Sequence, residues 1–437
     1  MKKNILSIGL LCLSSSFFVA GQAIAQNVIT EWNETALDAI RTARAGAAPA
    51  ARLYAMVNVA MYDAVNGIKK NRHSCGAGYD YALVPPNSSA PVRASEEAAA
   101  AAAAYEVLTA LYPAGSADYA TQLADDLDDL GGLGNSKVAD GYDWGVFVGQ
   151  EVVALRANDG ASPQEILPGG TAPGQFQADF TSAQYRNMTP FGISDPTLYL
   201  SDGPPALDSE EYAEALNEVK VFGERGSEDA DISNQEAEEL FRFWAGGGGS
   251  ARPPGEWIKI AITVAEDRRT TKSISKTARL FALLGMSMGD SVVVSWNDKF
   301  DYQAWRPATA IHNADTDGNP DTVADPSWIQ RNGSIGSSPE HTSGQSTFAG
   351  AGSTVMAHFY HRDHVRFSFE GDDAIAGPRS FRSFSQAAEE AGRARIYAGI
   401  HFEFSNQAGQ SAGRGLANEI VRTRLKKLRH HNHSCSY

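Results

Sequence analysis

Cysteine is nearly absent: the chain has three in 437 residues. Cys12 falls in the N-terminal apolar run, which leaves Cys75 and Cys435 and at most one bridge between them. In an oxidising compartment these two could pair, and otherwise they remain free thiols. An excess of positive charge is also missing, with 37 Lys and Arg against 52 Asp and Glu and a net charge of −15. An acidic surface disfavours nucleic acid and anionic membrane as partners. Beyond the N-terminus no long hydrophobic run is found. The most apolar stretch, 280–295, is short for a bilayer and carries Asp290, so no membrane span is expected. Internal repeats and heptads are lacking, and alternating β-type runs are few. What remains is an all-α chain.

The N-terminus is informative. Lys2 and Lys3 precede an apolar run and the triplet Ala23-Ile24-Ala25. This pattern is that of a secretory signal peptide, residues 1–25, cut near Ala25, and it predicts a secreted or periplasmic protein. Leu11 stands before Cys12, where a lipoprotein signal would carry a small residue, so no lipid anchor is expected.

Helices are predicted over 34–47 and 51–66, the second with Leu53, Val57, Met61 and Val65 in one stripe. The run 95–111 is helix-forming through its alanines, and 122–130 and 136–158 continue the pattern on either side of Gly131-Gly132. Residues 161–205, rich in Pro, Gly, Thr and Asp, read as an irregular excursion that ends an N-terminal helical region, 26–205. Helices resume at 209–222 and 234–244, with one or two more across 257–295, opening a C-terminal region, 206–437. Gly246–Gly249 lacks the Lys and Ser or Thr of a phosphate-binding loop and reads as a flexible loop.

Three segments carry candidate chemistry. In Ser337–Gly352, Thr342-Ser343-Gly344-Gln345 opens a helix, whose first N–H groups and dipole favour an anion. Gly344 allows close approach to the backbone. Upstream, Lys299 and Arg306 are seven residues apart, nearly two turns, which on a helix puts both on one face. Pro307 makes a boundary or kink expected at Arg306. Downstream, Arg395 and His401 are six apart, so a turn is expected between them, consistent with Gly399. Arg offers a planar fork to oxygen pairs and Lys a point charge.

In order and spacing these segments resemble the vanadium-dependent haloperoxidase and type 2 phosphatidic acid phosphatase superfamily, and bacterial secreted haloperoxidase-like proteins most of all. Its signature is K-x6-RP, PSGH and SR-x5-H. Two of the motifs depart from it: TSGQ stands for PSGH, and Ala394-Arg395 for Ser-Arg. The resemblance implies an all-α helical-bundle fold of two packed bundles with the oxyanion site in the C-terminal half. It implies vanadate as cofactor, with phosphate as competitor or alternative ligand. His401 would bond the metal, and Lys299, Arg306, Ser343, the Gly344 N–H and Arg395 would hold the oxygens. Lys299 would also polarise bound peroxide. The substrates would be hydrogen peroxide, halide and, for some members, an organic acceptor; a homodimer is left open.

In the phosphatase branch His401 would be the nucleophile, forming a phosphohistidine, and the His of PSGH would protonate the leaving group. Gln345 stands there instead, and a carboxamide exchanges no proton near neutral pH. Alternative readings are therefore a soluble acid phosphatase, or a degenerate member that binds vanadate or phosphate without turnover. His341 could replace the missing acid–base group or be a loop histidine with no role.

Other features are weaker. The stretch 315–321 alternates oxygens as a calcium loop does but lacks its Gly and Glu, so calcium is disfavoured against an Asx-rich turn. His358, His361 and His364 could gather a metal, and His430, His431 and His433 read as a solvated tail.

Overall fold

In the computed structural model, residues 27–72, 79–85, 90–228 and 232–427 are described. The segment 1–25 expected to be a signal peptide, Cys75, Cys435 and the C-terminal histidines lie outside these residues.

The described chain is helical, as expected. The first half contributes α1 (Val28–Ala43), α2 (Ala47–Arg72), α3 (Glu96–Leu111), α4 (Ser116–Asp129) and α5 (Ser136–Leu155). The second half contributes α6 (Glu210–Phe222), α7 (Asn234–Phe243), α8 (Arg252–Asp267), α9 (Ile274–Tyr302), α10 (Pro307–His312), α11 (Gly344–Phe359), α12 (Phe384–Tyr397) and α13 (Glu403–Thr423). Two antiparallel pairs, β1 (Ile166–Leu167) with β2 (Phe180–Thr181) and β3 (Phe367–Glu370) with β4 (Pro378–Phe381), are the strands of the described residues.

Small side chains explain the closest helix pairs. Gly141, Gly145 and Gly149 repeat every fourth residue along α5 and face the alanine run of α3. A Cβ at Gly145 would sit 2.2 Å from the Ala99 carbonyl oxygen, so the two backbones touch. The same device joins α11 to α13, where a Cβ on Gly413 would lie 2.1 Å from the Thr347 oxygen. That contact fixes α11, and with it the Thr342–Gln345 turn, against the segment that follows His401.

Helix α9 runs through the centre. At 29 residues it is longer than the apolar stretch predicted, and it alone among the described residues is long and apolar enough to cross a membrane. It is instead almost wholly buried, packed on α2, α11 and α13. One apolar core runs from Val28 to Leu425, and a smaller cluster under α6 and α10 includes Tyr212, Trp305, Trp328 and Phe402.

The segment 161–205 is irregular, as expected, and buried carboxylates of α9 hold it. Asp290 accepts from the backbone N–H groups of Phe191 (2.5 Å), Gly192 (2.7 Å) and Ile193 (2.8 Å). Burial pushes its carboxyl up to about 6 against those three donors. Asp298 accepts from the Ser201 N–H (3.2 Å) and from Thr342 Oγ1 (2.5 Å). It therefore ties the excursion to the loop before α11, beside Lys299. The stretch 315–321 forms Asx turns: Asp317 Oδ1 accepts from the Asn319 N–H (2.8 Å), and Asn319 Oδ1 from the Asp321 N–H (3.0 Å).

Candidate functional site

Lys299 and Arg306 do not share a helix face, contrary to the expectation from their spacing. α9 ends at Tyr302, Gln303 takes a left-handed conformation (φ 43°), and Arg306 caps the start of α10. The chain reverses between them, and both side chains converge on the loop at 338–340. Lys299 Nζ donates to the Pro339 carbonyl at 2.5 Å and the Glu340 carbonyl at 3.1 Å. Arg306 donates through Nε to the Ser338 carbonyl (2.9 Å) and through Nη1 to the Ile400 carbonyl (2.8 Å).

His401 follows the expected turn: α12 ends at Tyr397 and Gly399 adopts φ 72°. Its ring is 4% exposed and lies between two charges. Nδ1 is 2.8 Å from Glu340 Oε1, and Nε2 is 3.0 Å from Arg306 Nη1. The guanidinium only donates and the carboxylate accepts, so Nδ1 carries the proton and Nε2 presents its lone pair. Burial holds the imidazole neutral, well below its usual range, and Arg306, Lys299 and Arg395 add to the effect.

Glu340 was missed by sequence reasoning. It is fully buried and accepts from both His401 Nδ1 and the Phe402 N–H (3.0 Å). Burial raises its carboxyl to about 7, opposed by the Phe402 N–H, Arg306 and Lys299. A signal for it existed: a ligating histidine almost always donates its other N–H to an oxygen acceptor. No periodicity in the sequence said which carboxylate that would be.

Arg395, in the last turn of α12, is partly exposed along its length, yet its Nε and Nη1 are sealed from solvent and without a partner. Burial, then repulsion from Arg306, lowers its guanidinium to about 9. Burial and Arg306 likewise hold Lys299 well below the usual lysine range. Cations that depress one another around unused donors leave an electrostatic deficit that a bound anion would fill.

Ser343 caps α11, its Oγ accepting from Ser346 N–H (3.4 Å) and Ser346 Oγ (2.9 Å). The N–H groups of Gly344 and Gln345 head the helix and have no intrahelical acceptor. Gln345 is nearly buried: Nε2 donates to the Trp244 carbonyl (2.9 Å), and Oε1 is sealed and unpartnered. His341 is buried, with Nε2 2.7 Å from Ser201 Oγ and the Tyr302 ring edge-on. Burial, then Lys299, lowers it to about 3, so at neutral pH it is a neutral imidazole with no imidazolium proton to give.

Residues 279–430, a window containing Lys299, Arg306, Glu340, Ser343, Gly344, Gln345, Arg395 and His401, match the family model VCPO second helical-bundle domain. Vanadium chloroperoxidase of Curvularia inaequalis is 26% identical over 209 residues. The chain is similar in sequence to a vanadium haloperoxidase. The match covers 43% of this chain and about a third (33%) of the length of that curated relative. A structure described as the first bacterial vanadium-dependent iodoperoxidase superposes with a TM-score of 0.74 at 24% identity, over 93% of this chain and 98% of that one. An apo-type bacterial vanadium-dependent chloroperoxidase does so at 0.62 and 16% identity, over 86% and 93%. At these identities the structural likeness establishes the haloperoxidase fold, and the fold is shared across almost the whole chain.

Proposed function

We propose that the chain is a secreted vanadium-dependent haloperoxidase that oxidises halide with hydrogen peroxide on vanadate held at His401. The observation that carries the reading is the pairing of a lone pair with an anion deficit. His401 Nε2 is unprotonated, and beside it stand Lys299, Arg306 and an Arg395 whose Nε and Nη1 are buried and unused. A tetrahedral oxyanion fits this donor set on charge and on hydrogen bonding. Export is supported by the basic, apolar and Ala-x-Ala pattern of residues 1–25.

Vanadate bound there would supply a Lewis acid and template for peroxide without changing its oxidation state. Glu340 keeps the Nδ1 proton of His401 in place, so Nε2 remains the ligating atom. Lys299, Arg306, Arg395, Ser343 Oγ and the Gly344 N–H would hold the oxygens. Arg306 Nη1 already donates to the Ile400 carbonyl and need only release Nε2 to do so.

A binding protein without turnover is the second reading, and Gln345 favours it. Neither Gln345 nor the neutral imidazole of His341 can act as a general acid at neutral pH, which weighs most against an acid phosphatase, whose alkoxide leaving group needs one. The test is to load purified protein with vanadate and measure halide oxidation and phosphate-ester hydrolysis in parallel. Peroxide-dependent halide oxidation is expected. Tight vanadate binding with neither activity would leave the binding reading, and no vanadate binding would reject both. Phosphate should weaken the vanadate titration, because the two oxyanions have one shape.

A further inference from the structure

The chain as a whole is acidic, but one end of its central helix is not. Residues 268–279, which lead from α8 into α9, carry Arg268, Arg269, Lys272, Lys276 and Arg279 and no carboxylate. Residues 422–427, at the end of α13, carry Arg422, Arg424, Lys426 and Lys427 and again none. The fold brings the two segments together. Arg279 Nε donates to the Leu425 carbonyl (2.9 Å), and its guanidinium lies 5.0 Å from the centre of the Tyr79 ring. Tyr79 in turn forms an antiparallel bridge with Lys427, and the Asp80 N–H donates to the Lys426 carbonyl (2.8 Å).

Arg268, Arg269, Lys272, Lys276, Lys426 and Lys427 are exposed, and among the described residues none of them is in an ion pair. Elsewhere the chain pairs its cations: Arg41 and Lys259 share Asp372, and Arg393 holds Glu218 and Glu403. The exposed carboxylates that adjoin the face are fewer than its cations: Glu266 and Asp267 along the chain, and Asp80 across the bridge. Helix α9 adds to the positive potential. Its N-cap, Ser273, makes no side-chain cap bond, and its first turn holds no acid. Cations at the positive end of a helix oppose its dipole, so stability alone disfavours this arrangement, and a bound polyanion would reverse the sign. The chemistry of the face selects among polyanions. Nucleic-acid bases stack on exposed aromatics, and the ring here, Tyr79, is half-buried beside Arg279. A bilayer rewards apolar side chains set beside the cations, and Tyr81, 41% exposed, is the large exposed one next to these segments. A polysaccharide with sulfate or carboxylate groups along a flexible chain needs neither.

We propose that this face binds a linear anionic polysaccharide, whose sulfate or carboxylate groups pair with Lys272, Lys276, Lys426 and Lys427. Lys276 and Lys299 lie near opposite ends of α9, about 35 Å apart along its axis. The polymer would therefore anchor the protein and leave the oxyanion cluster open. The proposal does not depend on what that cluster binds.

The test is calorimetric titration of heparin, as a sulfated probe, into the purified protein at low and at raised ionic strength. Binding should be saturable and should weaken as salt is added. Lys272→Ala/Lys276→Ala and Lys426→Ala/Lys427→Ala should each lower heparin affinity about three- to thirtyfold, the worth of two exposed charge contacts. Lys137→Ala/Arg382→Ala removes the same charge from exposed positions outside the face. Its affinity should fall by less than about twofold, because charges beyond a Debye length are screened. No saturable binding at low salt, an equal loss in the control variant, or affinity unmoved in both face variants would overturn the proposal. Tighter binding to phosphatidylglycerol vesicles or to oligodeoxythymidine than to heparin would overturn it as well, since the partner would then be a membrane or a nucleic acid.

Discussion

Replacing Arg395 by Met should change binding and stability in opposite directions. In the protein without ligand, the guanidinium keeps two nitrogens buried and unpaired while Arg306 repels it. Each buried donor left unsatisfied costs about 1–3 kcal/mol, and a charged group more. Methionine has nearly the same length and no donors, so Arg395→Met should stabilise the ligand-free protein by about 1–3 kcal/mol, allowing for the partial exposure of the side chain. With an oxyanion present, the same two nitrogens would make charge-assisted hydrogen bonds worth about 1.5–3 kcal/mol each. Their loss should weaken vanadate and phosphate binding by at least about 100-fold. Arg395→Lys, which keeps the charge but not the fork, should fall between. The assay pairs calorimetric titration of vanadate with thermal unfolding in phosphate-free buffer. A variant that melts lower than wild type while binding vanadate as tightly would refute the reasoning, because Arg395 would then be a structural residue and not a member of an anion cradle.

His401→Ala should abolish vanadate-dependent turnover with the far-UV circular dichroism unchanged; retained wild-type rates would show that another group ligates. Gln345→His should change vanadate affinity little but raise turnover, more for ester hydrolysis than for halide oxidation, since an alkoxide leaves poorly without a proton. Activities unchanged across pH would show that Gln345 does not limit the site. His341 should contribute to acid sensitivity. Its folded-state proton affinity is lowered to about 3 from an ordinary 6.5, so below 6.5 the unfolded chain takes a proton the folded one refuses. Stability should therefore fall as pH drops from 6.5 toward 3, by up to about 1.4 kcal/mol per pH unit. His341→Gln should flatten that slope in denaturant titrations, and an equal slope would mean that His341 is protonated in the folded protein.

The sequence by itself determined the helical class and much of its detail. Periodicity and alanine content located α2, α3 and α5, and the Pro- and Gly-rich composition marked the excursion, because these signals are local to a few turns of chain. The order and spacing of three motifs, read as a resemblance, put Lys299, Arg306, Ser343, Gly344, Arg395 and His401 on one list. Composition and spacing could not say how they meet. Seven residues suggested one helix face for Lys299 and Arg306, whereas a left-handed residue at 303 ends the helix and a reversal brings them together. Glu340 illustrates the rest. As a letter in a loop it resembles any surface glutamate, and its role comes from burial 61 residues away from the imidazole it holds. Which polar atoms are paired, and which are sealed and unused, is decided only when distant segments close around them, because pairing and desolvation are properties of packed surfaces and not of neighbouring residues in the chain.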